Sequence, residues 1–193
     1  RMIVGSNKIR IDTLDKVLGK PVFAGDLKIE GALHAVVFRS PRPHAWIREI
    51  DLRRALSLPG IVRVISSADI PGEQLFGAIK KDQPCLAQGR VRHIGEPILV
   101  VIGETEEAAR KALDLVNIDF EDIEAIYDPF QAERSSTLVH DHGNLLSHRK
   151  VRKGDAGKGF AESDLIIEHT YNTTWLDHGF METEAGTGYI DEA

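Results

Sequence analysis

The sequence predicts an α/β (α+β) domain, a mixed sheet with helices packed on it, followed by a β-rich partial second domain. Three observations carry this expectation. Strand-like and helix-like segments alternate between about Gly19 and Pro129. The run Ile98-Leu-Val-Val-Ile102 has no polar alternation, the pattern of a strand covered on both faces. Beyond Tyr127 strand candidates outnumber helices, so the layering changes.

In chain order, Leu33-His-Ala-Val-Val-Phe38 is rich in β-branched and aromatic residues and predicts a strand. A corner follows at Arg39-Ser-Pro-Arg-Pro-His44, stiffened by its two prolines. Ala45 to Ile50 predicts a second strand, with Trp46, Arg48 and Ile50 on one face and Ile47 on the other. Asp51 is placed to cap a short helix carrying Leu52, Ala55 and Leu56, which Pro59-Gly60 stops. Ile61 to Ile65 is another strand, Ala68 to Gly72 a brief turn or helical piece, and a polar loop runs to about Gln88. Arg90 to Ile102 is strand material interrupted by Gly95-Glu96-Pro97.

Thr105 then caps the best helix signal in the chain, Glu106 to Val116, with Ala109, Ala112, Leu113 and Val116 on its apolar stripe. Glu106 with Arg110 and Glu107 with Lys111 are i,i+4 pairs in the favourable orientation. Ile118-Asp-Phe-Glu121 closes the domain as a strand. Further on, Asp128-Pro-Phe-Gln-Ala predicts a helical turn and Ala156 to Glu162 a short helix. Leu145–Arg152, Leu165–Tyr171 and Met181–Ile190 are strand candidates. The implied organisation is a lead-in over 1–17, the α/β domain over 18–128, a linker over 129–144, and the truncated start of a second domain over 145–193. An Arg before Met2 and an ending just after Gly188-Tyr-Ile fit a piece of something longer.

Composition excludes several classes. Net charge is -6 over 193 residues, without the basic face that nucleic acid demands. Hydrophobic residues at 42% and charged residues at 28% are those of an ordinary soluble domain. The longest aliphatic run is far below the ~20 residues of a membrane span, and no signal peptide precedes it, so a cytoplasmic location is expected. The single cysteine, Cys85 between Pro84 and Leu86, allows no internal disulfide and predicts a buried or half-buried apolar role.

Candidate chemistry is sparse. Ser40 and His44 pair a nucleophile type with a base type, but no Gly-x-Ser-x-Gly elbow surrounds Ser40, and a structural corner built on Arg39 and His44 is the better reading. His140, His142 and His148 are ligand types without helical His-x-x-x-His spacing or a cysteine partner, so no metal is assigned. Gly154-Asp-Ala-Gly-Lys-Gly159 has Gly159 where a phosphate loop needs Ser or Thr, and no dinucleotide fingerprint is present. Glu182 and Glu184 share one face of a candidate strand and read as solvated charges.

The order of short motifs is more specific than any one of them. Arg39-Ser-Pro-x-Pro-His44-Ala-x-Ile, Leu58-Pro-Gly-Ile-Val-x-Val64, Ala68-Asp-Ile-Pro-Gly72, Val91-x-x-Ile-Gly-Glu-Pro97, Glu104-Thr-x-x-Ala-Ala109 and Val116-x-Ile-Asp-Phe-Glu121 follow in register. Together they resemble the α/β hammerhead domain of the xanthine dehydrogenase and aldehyde oxidase family, the molybdenum hydroxylases. Gly154-Asp-x-x-x-x-Phe160-Ala-x-Ser-Asp164 and His178-x-x-Met-Glu-Thr183 resemble the start of that family's molybdopterin-binding part. Glu182-Thr183-Glu184-Ala185 departs from the Glu-Pro and small residues common there.

The resemblance implies a parent oxidoreductase that hydroxylates an aldehyde, purine or other heterocycle with water as the oxygen source. It implies a molybdenum–molybdopterin cofactor in that parent and none on this chain. The implied partners are the remainder of the molybdopterin-binding domain and iron–sulfur and flavin subunits or domains. No catalytic or cofactor-binding residue of the family maps onto this chain. Leu75 and Phe76 resemble positions that wall the substrate funnel, with packing against the missing domain an equal reading. The alternative is a free-standing, non-catalytic binding or assembly module with the same fold.

Overall fold

Polar side chains that answer backbone groups start most of the helices. The computed structural model describes residues 4–180 and 184–190. They divide into two compact units, one formed by 4–30 with 155–180 and 184–190 and the other by 31–154.

The first unit holds α1 (Thr13–Val17) and a short helix discussed below, with no buried residue in either. In the second unit lie β1 (His34–Arg39), β2 (Ala45–Asp51), α2 (Arg53–Leu56), β3 (Ile61–Ile65), β4 (Leu75–Phe76), β5 (Gln83–Pro84), β6 (Arg90–Val91), β7 (Pro97–Gly103), α3 (Glu106–Leu113), β8 (Asn117–Asp122) and α4 (Pro129–Arg134). The short helix of the first unit is α5 (Ala156–Ala161), capped by Asp155, whose Oδ1 accepts from the Lys158 N–H at 3.0 Å.

Two three-stranded sheets, ordered β1-β7-β3 and β6-β2-β8, and the β4-β5 hairpin make up the strands. Every ladder among the described residues is antiparallel, where a mixed sheet was expected. The α/β layering itself holds. β7 is the middle strand of its sheet, with Leu99 and Val101 fully buried on one face and Ile98 on the other. Leu99 and Val101 join Ala55 of α2 and Ala109 and Ala112 of α3 in one cluster. Ile98 joins Ala45, Ala87 and Val91 in a second. Two apolar surroundings explain why this strand carries no polar alternation.

The long helix starts where its pattern predicts but ends at Leu113, three residues short of the expected Val116. Thr105 Oγ1 accepts from the Ala108 N–H at 3.1 Å, and Glu106–Arg110 and Glu107–Lys111 pair at 2.7 Å each. Leu113 and Val116 pack on the first cluster beside the two buried alanines. Thr105→Ala is expected to lower stability by about 1 kcal/mol, checked by urea titration of the chain; an unchanged midpoint would show that the cap contributes nothing.

Several local expectations are revised. β2 carries a bulge between Ile47 and Glu49, so Ile47 and Ile50 both pack on the second cluster instead of pointing apart. Arg48 at the bulge stays exposed and bonds Glu121 across the ladder. Asp51 ends β2, yet its Oδ1 still accepts the Arg53 N–H at 3.0 Å, and the Arg53 guanidinium holds its carboxyl at about 2. Leu56 is exposed, since only Ala55 of α2 turns inward. The loop before Gln88 contains the β4-β5 hairpin. Cys85 is exposed because alternation there buries its neighbours Pro84 and Leu86 instead. Leu145–Arg152 and Leu165–Tyr171 form no strand, nor do residues 184–190. A strand needs a neighbour for its N–H and C=O groups, and among the described residues these segments have no ladder partner. Met181 to Thr183, Glu182 among them, lie outside the described residues.

Candidate functional site

The corner between β1 and β2 is bonded almost entirely to itself and to two neighbouring segments. The Arg39 guanidinium donates to the Gly95 carbonyl at 3.0 Å. The Ser40 N–H donates to Glu96 O at 2.9 Å, and Ser40 O accepts from the Gly95 N–H at 2.8 Å. Ser40 Oγ donates to Arg42 O at 2.8 Å and accepts the Arg42 N–H at 3.0 Å, a closed side-chain turn. His44 is buried, with Nδ1 at 3.0 Å from Glu124 O, so that nitrogen carries the proton. Its Nε2 is enclosed without a hydrogen-bond partner. Ser40 and His44 therefore do not form a nucleophile–base pair: both of their bonded atoms are engaged with backbone.

Glu96, which the sequence shows only as part of a strand interruption, is a buried carboxylate behind this corner. It accepts the Arg92 N–H and lies 3.9 Å from that residue's guanidinium. Arg90 is buried as well. It donates to Val139 O at 2.9 Å and to Asp141 Oδ1 at 3.1 Å, with its guanidinium carbon 5.2 Å from the Trp46 ring centre. The spacing Arg90-Val-Arg92…Glu96 holds a signal for this network, an i,i+4 ion pair, but nothing in it announces burial.

Leu75 and Phe76 form β4 and are 43% and 46% exposed. The turn beyond them depends on Gly77, where φ is +152° and a Cβ would collide with the Lys80 carbonyl oxygen. Ile79 on the same turn is exposed too, so the hairpin presents an apolar end to its surroundings. Asp82, at the end of that turn, stands between His140 and His142, at 3.6 and 3.4 Å from their ring nitrogens. Among the described residues no group of three or more His, Cys, Asp or Glu converges to hold an ion. His148, His178 and Glu184 are exposed, and His148 lies apart from the trio's contacts.

A cavity of about 230 Å³ opens beside the corner, lined by Pro43, His44, Arg92, Ile94, Ile126 and Tyr127 among others. Its one arginine is committed to Val139 O at 3.2 Å and to Arg90 O and Glu96. The arginine of this cavity is therefore already paired. No helix among them is long and apolar enough to cross a membrane.

Residues 18–124 match the model of the aldehyde oxidase and xanthine dehydrogenase a/b hammerhead domain. The chain belongs to this family. It is 38% identical over 98% of its length to the nicotinate dehydrogenase large molybdopterin subunit of Eubacterium barkeri, covering 45% of that protein. It is 36% identical over 96% of its length to a probable xanthine dehydrogenase subunit of Bacillus subtilis, covering 25% of it. Quinoline 2-oxidoreductase of Pseudomonas putida 86 shares the fold with a TM-score of 0.71 and 28% identity over 83% of this chain and 22% of the other. The hammerhead chain thus spans less than half of each of these relatives. The motif run from Arg39 to Glu121 lies wholly within the matched region.

Proposed function

We propose that this chain is the hammerhead portion, with the opening of the molybdopterin-binding part, of the molybdenum-binding subunit of a molybdopterin-dependent oxidoreductase. The parent hydroxylates an aldehyde, purine or other heterocycle with oxygen from water. The observation that carries this reading is the match of nearly the whole chain to under half of a large molybdopterin subunit. In this reading the chain is scaffold. The corner of Arg39 and His44 holds β1, the Gly95 turn and the segment after β8 together, while Leu75 and Phe76 wall the substrate approach or pack on the molybdopterin-binding domain. The cofactor sits on that domain, and iron–sulfur and flavin subunits carry electrons away.

The bonded side-chain atoms of Arg39, Ser40 and His44 are spent on backbone, and the arginine of the adjoining cavity on Val139 O, which supports assigning the chemistry elsewhere. The test is to produce the parent polypeptide with its redox partners in a host that makes the pterin. Molybdenum content and oxidation of nicotinate, xanthine and an aromatic aldehyde are then measured beside the 193-residue chain alone. Molybdenum and turnover in the parent only are expected. One molybdenum per isolated chain, or a metal-free parent, would overturn the reading.

Arg39→Ala removes one side-chain bond to a carbonyl and is expected to lower stability by about 1 kcal/mol. In the parent it is expected to leave molybdenum content unchanged. A melting temperature equal to wild type, or loss of metal at wild-type stability, would contradict the scaffold role of this corner.

A further inference from the structure

Residues 146–154 close the second unit without bonding to it. Each of them is exposed, Val151 at 93%, and the segment forms neither helix nor strand. Among the described residues none of the nine takes part in a hydrogen bond or an ion pair. Arg149-Lys150 and Arg152-Lys153 make two basic pairs around Val151. Their side chains have no carboxylate partner, whereas Arg48, Arg53, Arg63, Lys81 and Arg110 of the same unit are each paired. The compact unit 31–154 ends directly after this run, and Asp155 begins the other.

We propose that residues 148–154 are a processing site, cut on the carboxyl side of its basic residues by a serine endoprotease whose primary pocket carries an acidic group.

An endoprotease takes several substrate residues in extended form and pairs their N–H and C=O groups with its own backbone. A segment already in a ladder or a helix must first open, at the free energy of that local unfolding. Residues 146–153 have no such bond to break. Charge then selects the bond. An acidic pocket matches Lys or Arg, and a cation with a partner has to leave it first. The other basic positions of the unit compare poorly. Lys80 is engaged on Leu145 O and Lys81 with Glu73, both on the hairpin turn. Arg134 lies in α4, and Arg42 is followed by Pro43, which has no N–H to offer. Hydrolysis adds one water across the peptide bond. It leaves a carboxylate on Arg149, Lys150, Arg152 or Lys153 and a new amino terminus on the residue that follows. Because no hydrogen bond of the unit crosses the cut, its strands keep their pairing.

The test digests the 193-residue chain with a trace of trypsin and follows the cut bonds in time by mass spectrometry. Within 31–154, cleavage after residues 149–153 is expected at least about tenfold faster than after Lys80, Lys81 or Arg134. A variant with Arg149→Gln, Lys150→Gln, Arg152→Gln and Lys153→Gln is expected to lose these cuts and keep its melting temperature. Subtilisin, which needs no basic residue, is expected to cut both forms of this unit first between 145 and 154. Earlier trypsin cleavage at Lys80, Lys81 or Arg134 would overturn the proposal. So would subtilisin cutting elsewhere in 31–154 as fast, or a lowered melting temperature in the variant, which would show the run to be held.

Discussion

Leu99→Ala lowers the unfolding free energy of this chain by about 2–5 kcal/mol, the largest loss expected from any single truncation in it. Leu99 is fully buried at the middle of the central strand, packed with Val101, Ala55, Ala109 and Ala112. Its alanine partners carry no side chain that can reach into the cavity left behind, so much of the cavity penalty is retained. Antiparallel neighbours on both sides of β7 also prevent the strand from shifting to close it. Urea titration monitored by the two tryptophans reads the change. A loss below about 1 kcal/mol would mean that the two layers are not closely packed against each other.

Glu96→Ala is the second large effect, about 2–3 kcal/mol. The carboxylate is 2% exposed and answers both the Arg92 N–H and the Arg92 guanidinium. Removing it leaves a buried donor without a partner and a half-enclosed cation without its anion. Glu96→Gln keeps an acceptor for the N–H and is expected to lose only about 1 kcal/mol. That contrast separates the hydrogen bond from the charge. Equal losses in the two variants would assign the whole effect to the ion pair, and no loss in either would place Glu96 in water.

The region most legible in the sequence was the one whose signals are local. Thr105 capping α3, the Glu106–Arg110 pair and the alanine stripe follow from spacing alone, because a helix satisfies its backbone within one segment. The short helices at Pro129 and Ala156 were legible for the same reason, although their caps Asp128 and Asp155 were shown only by the structure. β2 was half legible. Its extent was evident, yet the bulge at Arg48 reverses which residues share a face, and a bulge is decided by the partner strand. Cys85 was misplaced because its neighbours' burial depends on which way a two-residue strand turns. The strand candidates after Gly143 failed on the same principle: their composition suits a sheet, but no ladder partner among the described residues pairs with them.

By itself the sequence pointed to the family, to the starts of α3, α4 and α5 and to the approximate extents of the long strands, since each rests on residues near one another along the chain. Only the tertiary structure decided that the sheets are antiparallel, that Glu96 and Arg90 are buried charges, and that Asp82 meets His140 and His142 from a distant loop. The physical reason is range. Capping and periodicity are set within a turn or two of backbone, whereas burial and the pairing of charges are set by what the fold brings alongside.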